Sequence, residues 1–169
     1  MPPQCYHAAM PDLEPPETGA SQALTGEPTG RRLTRWFLVV IYAAAGVLHL
    51  VKPVPFLRIT PGWVPDPALV IALTGVAELA GAAGLAQGFS PALRRAAGWG
   101  LAAYALCVWP ANVNHLLMDM ARPGHGLGWG YHGPRMLAQP VLIWAALWAG
   151  GVIRRPAQAP RPGSRPDPR

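Results

Sequence analysis

Between Pro67 and Gln87 the chain reads PALVIALTGVAELAGAAGLAQ, an apolar run long enough to cross a bilayer with one carboxylate, Glu78, at its centre. A hydrocarbon core of about 30 Å takes about 20 apolar residues wound as a helix rising about 1.5 Å per residue. An ionisable group at mid-depth costs about 2.5–3.5 kcal/mol to insert, so it turns toward protein or water rather than lipid. Gly75, Ala77, Ala80, Gly81 and Gly84 surround it, and the Ala77/Gly81 and Ala80/Gly84 pairs let neighbouring helices come close. The run predicts an inner helix of a bundle with Glu78 turned inward.

The rest of the chain agrees. It is 51% hydrophobic and only 13% charged, against about 25% charged for an ordinary soluble domain. The expected fold class is an all-α membrane protein: an antiparallel four-transmembrane-helix bundle over residues 31–153, with spans at about 33–51, 67–87, 92–117 and 134–153. Residues 1–30, rich in Pro, Gly, Thr and Glu, and residues 154–169, alternating Pro with Arg, predict disordered cytoplasmic tails. Arg31-Arg32 ahead of WFLVV resembles a twin-arginine signal, but three further spans follow and leave no soluble domain to export. The Pro-rich stretch from Pro53 to Pro67 predicts an ordered interfacial loop with Phe56 and Trp63 at headgroup level, Pro110 predicts a kink in the third span, and Met118 to Gly133 predicts a loop.

The net charge of +6 raises the question of nucleic acid, but no such motif is present and most of the arginines flank the spans. With both termini in the cytoplasm, Arg31, Arg32, Arg35, Arg94, Arg95, Arg154, Arg155, Arg161, Arg165 and Arg169 fall inside, against Lys52, Arg58, Arg122 and Arg135 outside, ten against four. That bias predicts a multi-pass plasma-membrane protein with cytoplasmic termini. Cys5 and Cys107 form no CxxC, which disfavours thiol–disulfide exchange.

In this orientation Tyr42, Glu78 and Tyr104 all lie on the order of 14–16 Å deep, near mid-membrane. His49, Asn112, His115, Arg135 and Gln139 fall nearer the outer surface. Tyr42, Gly46 and His49 share one helical face, as do Tyr104, Val108, Ala111 and His115. The economical arrangement is a polar pocket opening outward with Glu78 at its floor.

The order GVLHL, Pro53-x-x-Phe56, Pro61-x-Trp63-x-Pro65, GVAELAGAAGL, an Arg-Ala-Ala turn (Arg95 to Ala97), Pro110-Ala-Asn112 and Arg135-x-x-x-Gln139-Pro140 resembles the DoxX family of small bacterial and archaeal membrane proteins, over roughly Arg35 to Ile153. The resemblance implies a four-helix membrane protein, with namesakes associated with quinone-reducing sulfur oxidation and membrane oxidoreductase complexes. Similar sequences often carry a proline between the arginine and glutamine of the last motif, where this chain has Met136, Leu137 and Ala138, so no catalytic role is carried over.

Each polar residue also has a plainer reading. Glu78 can be a structural carboxyl bonded to a tyrosine, His49 a satisfied interface histidine, and Arg135 a headgroup anchor. An Arg135–Glu78 ion pair is disfavoured by depth, since the arginine stands near the start of its span and the glutamate near the middle of its own. Haem ligation by His49 and His115 is disfavoured for want of supporting groups, and His125 with His132 lack a third ligand, so no metal is expected. Three functional classes follow. One is a membrane subunit or accessory of a quinone-linked oxidoreductase, with a bound quinone held by Glu78, Tyr42, His49 or Arg135 and a redox partner protein supplying electrons. The others are a small proton-coupled transporter using Glu78, and a scaffold or assembly factor, with homo-oligomers an option throughout.

Overall fold

The computed structural model describes residues 27–153; the expected tails at 1–26 and 154–169 lie outside the described residues. Within them the chain is all-α, with five helices and no strand: α1 Thr29–Val51, α2 Val54–Ile59, α3 Pro67–Ala86, α4 Pro91–Met120 and α5 Gly128–Ala149.

Local chemistry sets the helix ends. Asp66 caps α3 by accepting from the Leu69 N–H at 3.3 Å, and Ser90 caps α4 through Leu93 at 3.2 Å, each with a proline at the first helical position, where no amide is needed. Gln87 staples the intervening turn. Its side-chain amide donates to the Gly84 and Ser90 carbonyls at 3.1 and 2.9 Å, and its Oε1 accepts from the Ser90 N–H at 2.9 Å. Beyond Ala149 the chain turns through Gly150 and Gly151, the latter at φ +77°, a left-handed conformation that glycine adopts without strain.

Three segments differ from expectation. Residues 53–67, read as a loop, hold the short helix α2, which Asn114 of α4 grips by donating to the Ile59 carbonyl at 2.9 Å. α5 begins at Gly128, inside the stretch read as a loop, and stops at Ala149, ahead of the expected 153. The glycines at 128, 130 and 133 argue locally against helix, but the polar network around Asp119 described below anchors this turn from outside it. Finally, only α1 and α3 are long and apolar enough to cross a membrane. α4 and α5, expected as spans, are less apolar: α4 includes Trp99, Tyr104, Trp109, Pro110 and Asn112, and α5 carries His132, Pro134, Arg135, Gln139 and Pro140.

α1 packs most extensively on α3, and α4 on α5; α3 meets α4 less broadly, and α1 meets α5 less again. Glycine makes the two tight pairings possible. A Cβ added at Gly46 would stand 2.8 Å from the Gly75 carbonyl, and one at Gly98 would stand 2.8 Å from the Ala146 carbonyl and 3.0 Å from Gly150 Cα. Small residues continue this closeness into the core, where Ala82, Ala102, Ala145, Ala146 and Ala149 pack around Leu38, Leu85 and Leu101. The usual distribution is inverted. Arg35, Glu78, Asn112, Asp119, His132 and Gln139 are buried, while Leu33, Phe37, Val40, Leu73, Trp99, Leu137 and Val141 are exposed.

Candidate functional site

The α1–α3 crossing delivers the first cluster. Where Gly46 meets Gly75, the next turns bring His49 of α1 against Glu78 of α3, and Glu78 is only 3% exposed. Tyr104 of α4 donates its hydroxyl to Glu78 Oε1 at 2.7 Å. His49 Nδ1 lies 2.7 Å from Glu78 Oε2 and 2.9 Å from the Ala45 carbonyl. The N–H is aligned on the carbonyl, so Oε2 has a close neighbour but no aligned donor. The His49 ring stacks on Phe56 of α2, with centroids 3.8 Å apart. Tyr42 stands edge-on to Tyr104 at 6.1 Å, and its hydroxyl is buried without a hydrogen-bond partner among the described residues.

A second cluster joins α4 to α5. Arg135 donates to Asn112 Oδ1 and, at 2.8 Å, to His115 Nδ1, while its guanidinium lies over the Tyr131 ring at 5.1 Å. It forms no ion pair with Glu78, and none with any carboxylate among the described residues. Behind it Asp119, 1% exposed, accepts from His132 Nε2 at 3.0 Å, from the Leu127 N–H at 3.2 Å and from Arg122 at 3.0 Å. The His132 bond and the Leu127 N–H hold the Asp119 carboxyl below its ordinary value of 3.8. Gly126, at φ +51°, lets the loop pass: a Cβ there would stand 2.6 Å from the carboxylate carbon.

One donor atom each from His115, Asp119 and His132 lies within 4.8 Å of the others, the spacing of a metal triad. Hydrogen bonds already engage the Asp119 oxygens and His132 Nε2. Arg135 donates to His115 Nδ1, which assigns the proton of the neutral ring to Nε2, the nitrogen facing Asp119 at 3.7 Å. Asp119 is filled by three donors, and two guanidinium groups stand beside the cluster. The arrangement is a hydrogen-bond hub that fixes the start of α5 and, through His115, the Arg135 fork.

Between the two clusters lies a cavity of about 560 Å³. Tyr42, His49, Glu78, Tyr104, Asn112, Arg135 and Gln139 all reach its wall, together with a larger apolar surface that includes Ile41, Ile71, Val108 and Leu142. His115 contacts the cavity only through Arg135. The buried Oε1 of Gln139, like the Tyr42 hydroxyl, has no partner among the described residues. The predominantly apolar wall is a departure from the polar pocket the sequence suggested. Sequence reasoning passed over Asp119 and His132 as partners, although Asp119 stands four residues after His115 on the same helical face. The stacking of Phe56 on His49 had no signal, because α2 itself was read as a loop.

Residues 38–150, more than half of the chain, match the family model described as Domain of unknown function (DUF8561), and the chain belongs to that family. This overturns the DoxX resemblance, since no DoxX match is found. The motifs that carried it were interfacial prolines and tryptophans and a small-residue helix, features that the membrane environment asks of many unrelated bundles. No curated protein and no solved structure matches the chain.

Proposed function

We propose that this DUF8561 member is a four-span protein of the plasma membrane whose central cavity binds a lipophilic small molecule by its oxygen atoms, with a quinone headgroup as the ligand class. The spans are α1, α3, residues 92–117 of α4, and α5, antiparallel, with both termini cytoplasmic and Asp119 beyond the outer end of its span. Several observations support this topology. At about 1.5 Å per residue, the 30 residues of α4 and 22 of α5 match or exceed the hydrocarbon thickness. The exposed apolar faces with a polar interior suit lipid, and the arginine bias supports the orientation.

The observation that carries the ligand reading is the cavity itself. An apolar space of about 560 Å³ is bordered by a tyrosine hydroxyl and a glutamine carbonyl with no partners, and by an arginine without a carboxylate. A few polar groups set in an apolar wall are the pattern of a small-molecule site. A quinone ring is flat and apolar between two carbonyl oxygens, which accept hydrogen bonds; Tyr42 and Arg135 can donate them. With the family resemblance withdrawn, the redox association rests on this fit alone. In a quinone-linked oxidoreductase assembly the chain is the quinone-holding subunit, with electrons coming from a partner protein.

The test is direct. Protein extracted with its native lipids is analysed for co-purifying quinone, then titrated with a short-chain quinone by tryptophan fluorescence. Bound quinone and an affinity about tenfold weaker in Tyr42→Phe, the loss of one hydrogen bond near 1.4 kcal/mol, support the reading; a wild type that neither carries nor binds quinone overturns it. The His49–Glu78 contact favours a second reading, proton-coupled transport. A pH-gradient-driven flux in proteoliposomes, abolished by Glu78→Gln, would select that one.

A further inference from the structure

At the other end of the molecule a second cavity, of about 540 Å³, opens among the starts of α1 and α4 and the end of α5. Its chemistry is opposite to that of the first. Arg31, Arg94 and Arg95 line it beside Trp148, and Glu27 is the one carboxylate on its wall among the described residues. Its Oε2 is held 3.0 Å from a further arginine, the buried Arg35, which offsets its charge, while its Oε1 is buried without a partner among the described residues.

Two of the three cationic side chains are held rather than loose. Arg31 donates to the Ile153 carbonyl at 3.0 Å and lies over the Trp148 ring at 5.8 Å, and Arg94 donates to the Gln87 carbonyl at 3.0 Å. Neither meets a carboxylate, and the Nε of each is shut from solvent and donates to nothing among the described residues. The backbone adds to the field. Gly30 and Pro91 on the cavity wall belong to the first turns of α1 and α4, so two positive helix ends point the same way. The α1 end has no side-chain cap and no acidic residue in its first turn, which leaves its leading amides without an internal acceptor.

We propose that this cavity is a binding site for a phosphate group, as a phosphodiester or phosphomonoester. Preformed guanidinium groups, two helix N-termini and an aromatic wall together match a multiply charged oxyanion attached to a less polar body. An anionic phospholipid headgroup and a free phosphate share this chemistry. The headgroup version rests on the membrane topology proposed above, with the arginines on the cytoplasmic side, where anionic lipids meet basic pockets between helices. The free-phosphate version does not.

Thermal unfolding of the full chain in neutral detergent, followed by tryptophan fluorescence, separates the two. The probes are dioctanoyl phosphatidylglycerol and, at matched ionic strength, inorganic phosphate. A saturable stabilisation by the lipid alone is expected, with half-saturation shifted about tenfold or more in Arg31→Gln/Arg94→Gln, and unchanged in Arg58→Gln at the opposite end. Saturation by inorganic phosphate with the same arginine dependence keeps the site and reassigns the source to free phosphate. If neither probe saturates, or the double variant saturates as the wild type does, the proposal fails. Should the double variant not fold, Arg95→Gln, whose side chain is exposed, carries the same comparison with a smaller shift. A chain that stays soluble without detergent yet binds phosphate sinks the membrane reading and spares the site.

Discussion

The α1–α3 crossing can be tested by adding one methyl group. In Gly46→Ala the new Cβ would stand 2.8 Å from the Gly75 carbonyl oxygen, 2.8 Å from Leu79 Cγ and 3.2 Å from Glu78 Cβ. Ordinary contact begins near 3.4 Å, and the first of these neighbours is backbone, so the helices must part by several tenths of an ångström. Overpacking of this kind costs about 1–3 kcal/mol, while exchanging glycine for alanine inside a helix returns about 1 kcal/mol. Gly100→Ala is the matched control, because nothing lies within 4 Å of a Cβ there. Both substitutions gain the same helix term, so the difference between them isolates the clash, and Gly46→Ala should be less stable than Gly100→Ala by about 1–3 kcal/mol. Reversible unfolding in mixed micelles by titration with a denaturing detergent measures it. Equal stability of the two variants would refute the close crossing. Because the same crossing sets His49 against Glu78, the proposed quinone site predicts that Gly46→Ala weakens quinone binding while Gly100→Ala leaves it intact.

Three further outcomes follow. Tyr104→Phe removes the hydroxyl that satisfies the buried Glu78 Oε1 and should cost about 1–3 kcal/mol of stability in the same assay; a cost no greater than that of an exposed aromatic change would count against the bond. Asp119 binds its proton less readily folded than unfolded, so its contribution is present above the unfolded value of 3.8 and is lost as pH falls through the lower, folded one. Stability should therefore decline below about pH 4–5, with a shallower acid limb in Asp119→Asn, and equal limbs would show that the hub does not report through this carboxylate. Arg135→Gln should weaken binding of a carbonyl ligand about tenfold by titration without disturbing the Glu78–Tyr104 bond, which it does not touch; unchanged affinity would remove Arg135 from the ligand's contacts.

What the sequence disclosed depended on the range of the interaction that fixed each feature. α3 was legible because its length, caps and small residues are all local. Glu78 was legible as a buried acid because nothing near it in sequence could make lipid hospitable. Its pairing was not, because Tyr104 comes from α4 and His49 from α1, and helical phase gives a direction without naming a neighbour. α2 and the start of α5 escaped because prolines and glycines dominate there, while the contacts that stabilise them, Asn114 on the Ile59 carbonyl and Asp119 on Leu127 and His132, are tertiary. The family was misread for a related reason: motifs selected by a shared solvent look like shared ancestry.

The sparse seam between α1 and α5 has a consequence for traffic. Ile41 and Tyr42 stand on one side of the first cavity and Ala138, Gln139 and Leu142 on the other, so this seam is also a wall of the chamber. In the membrane topology proposed above this seam borders the acyl chains, and a guest that entered through it from the leaflet would arrive at a rate set by its concentration in the membrane rather than in the surrounding fluid.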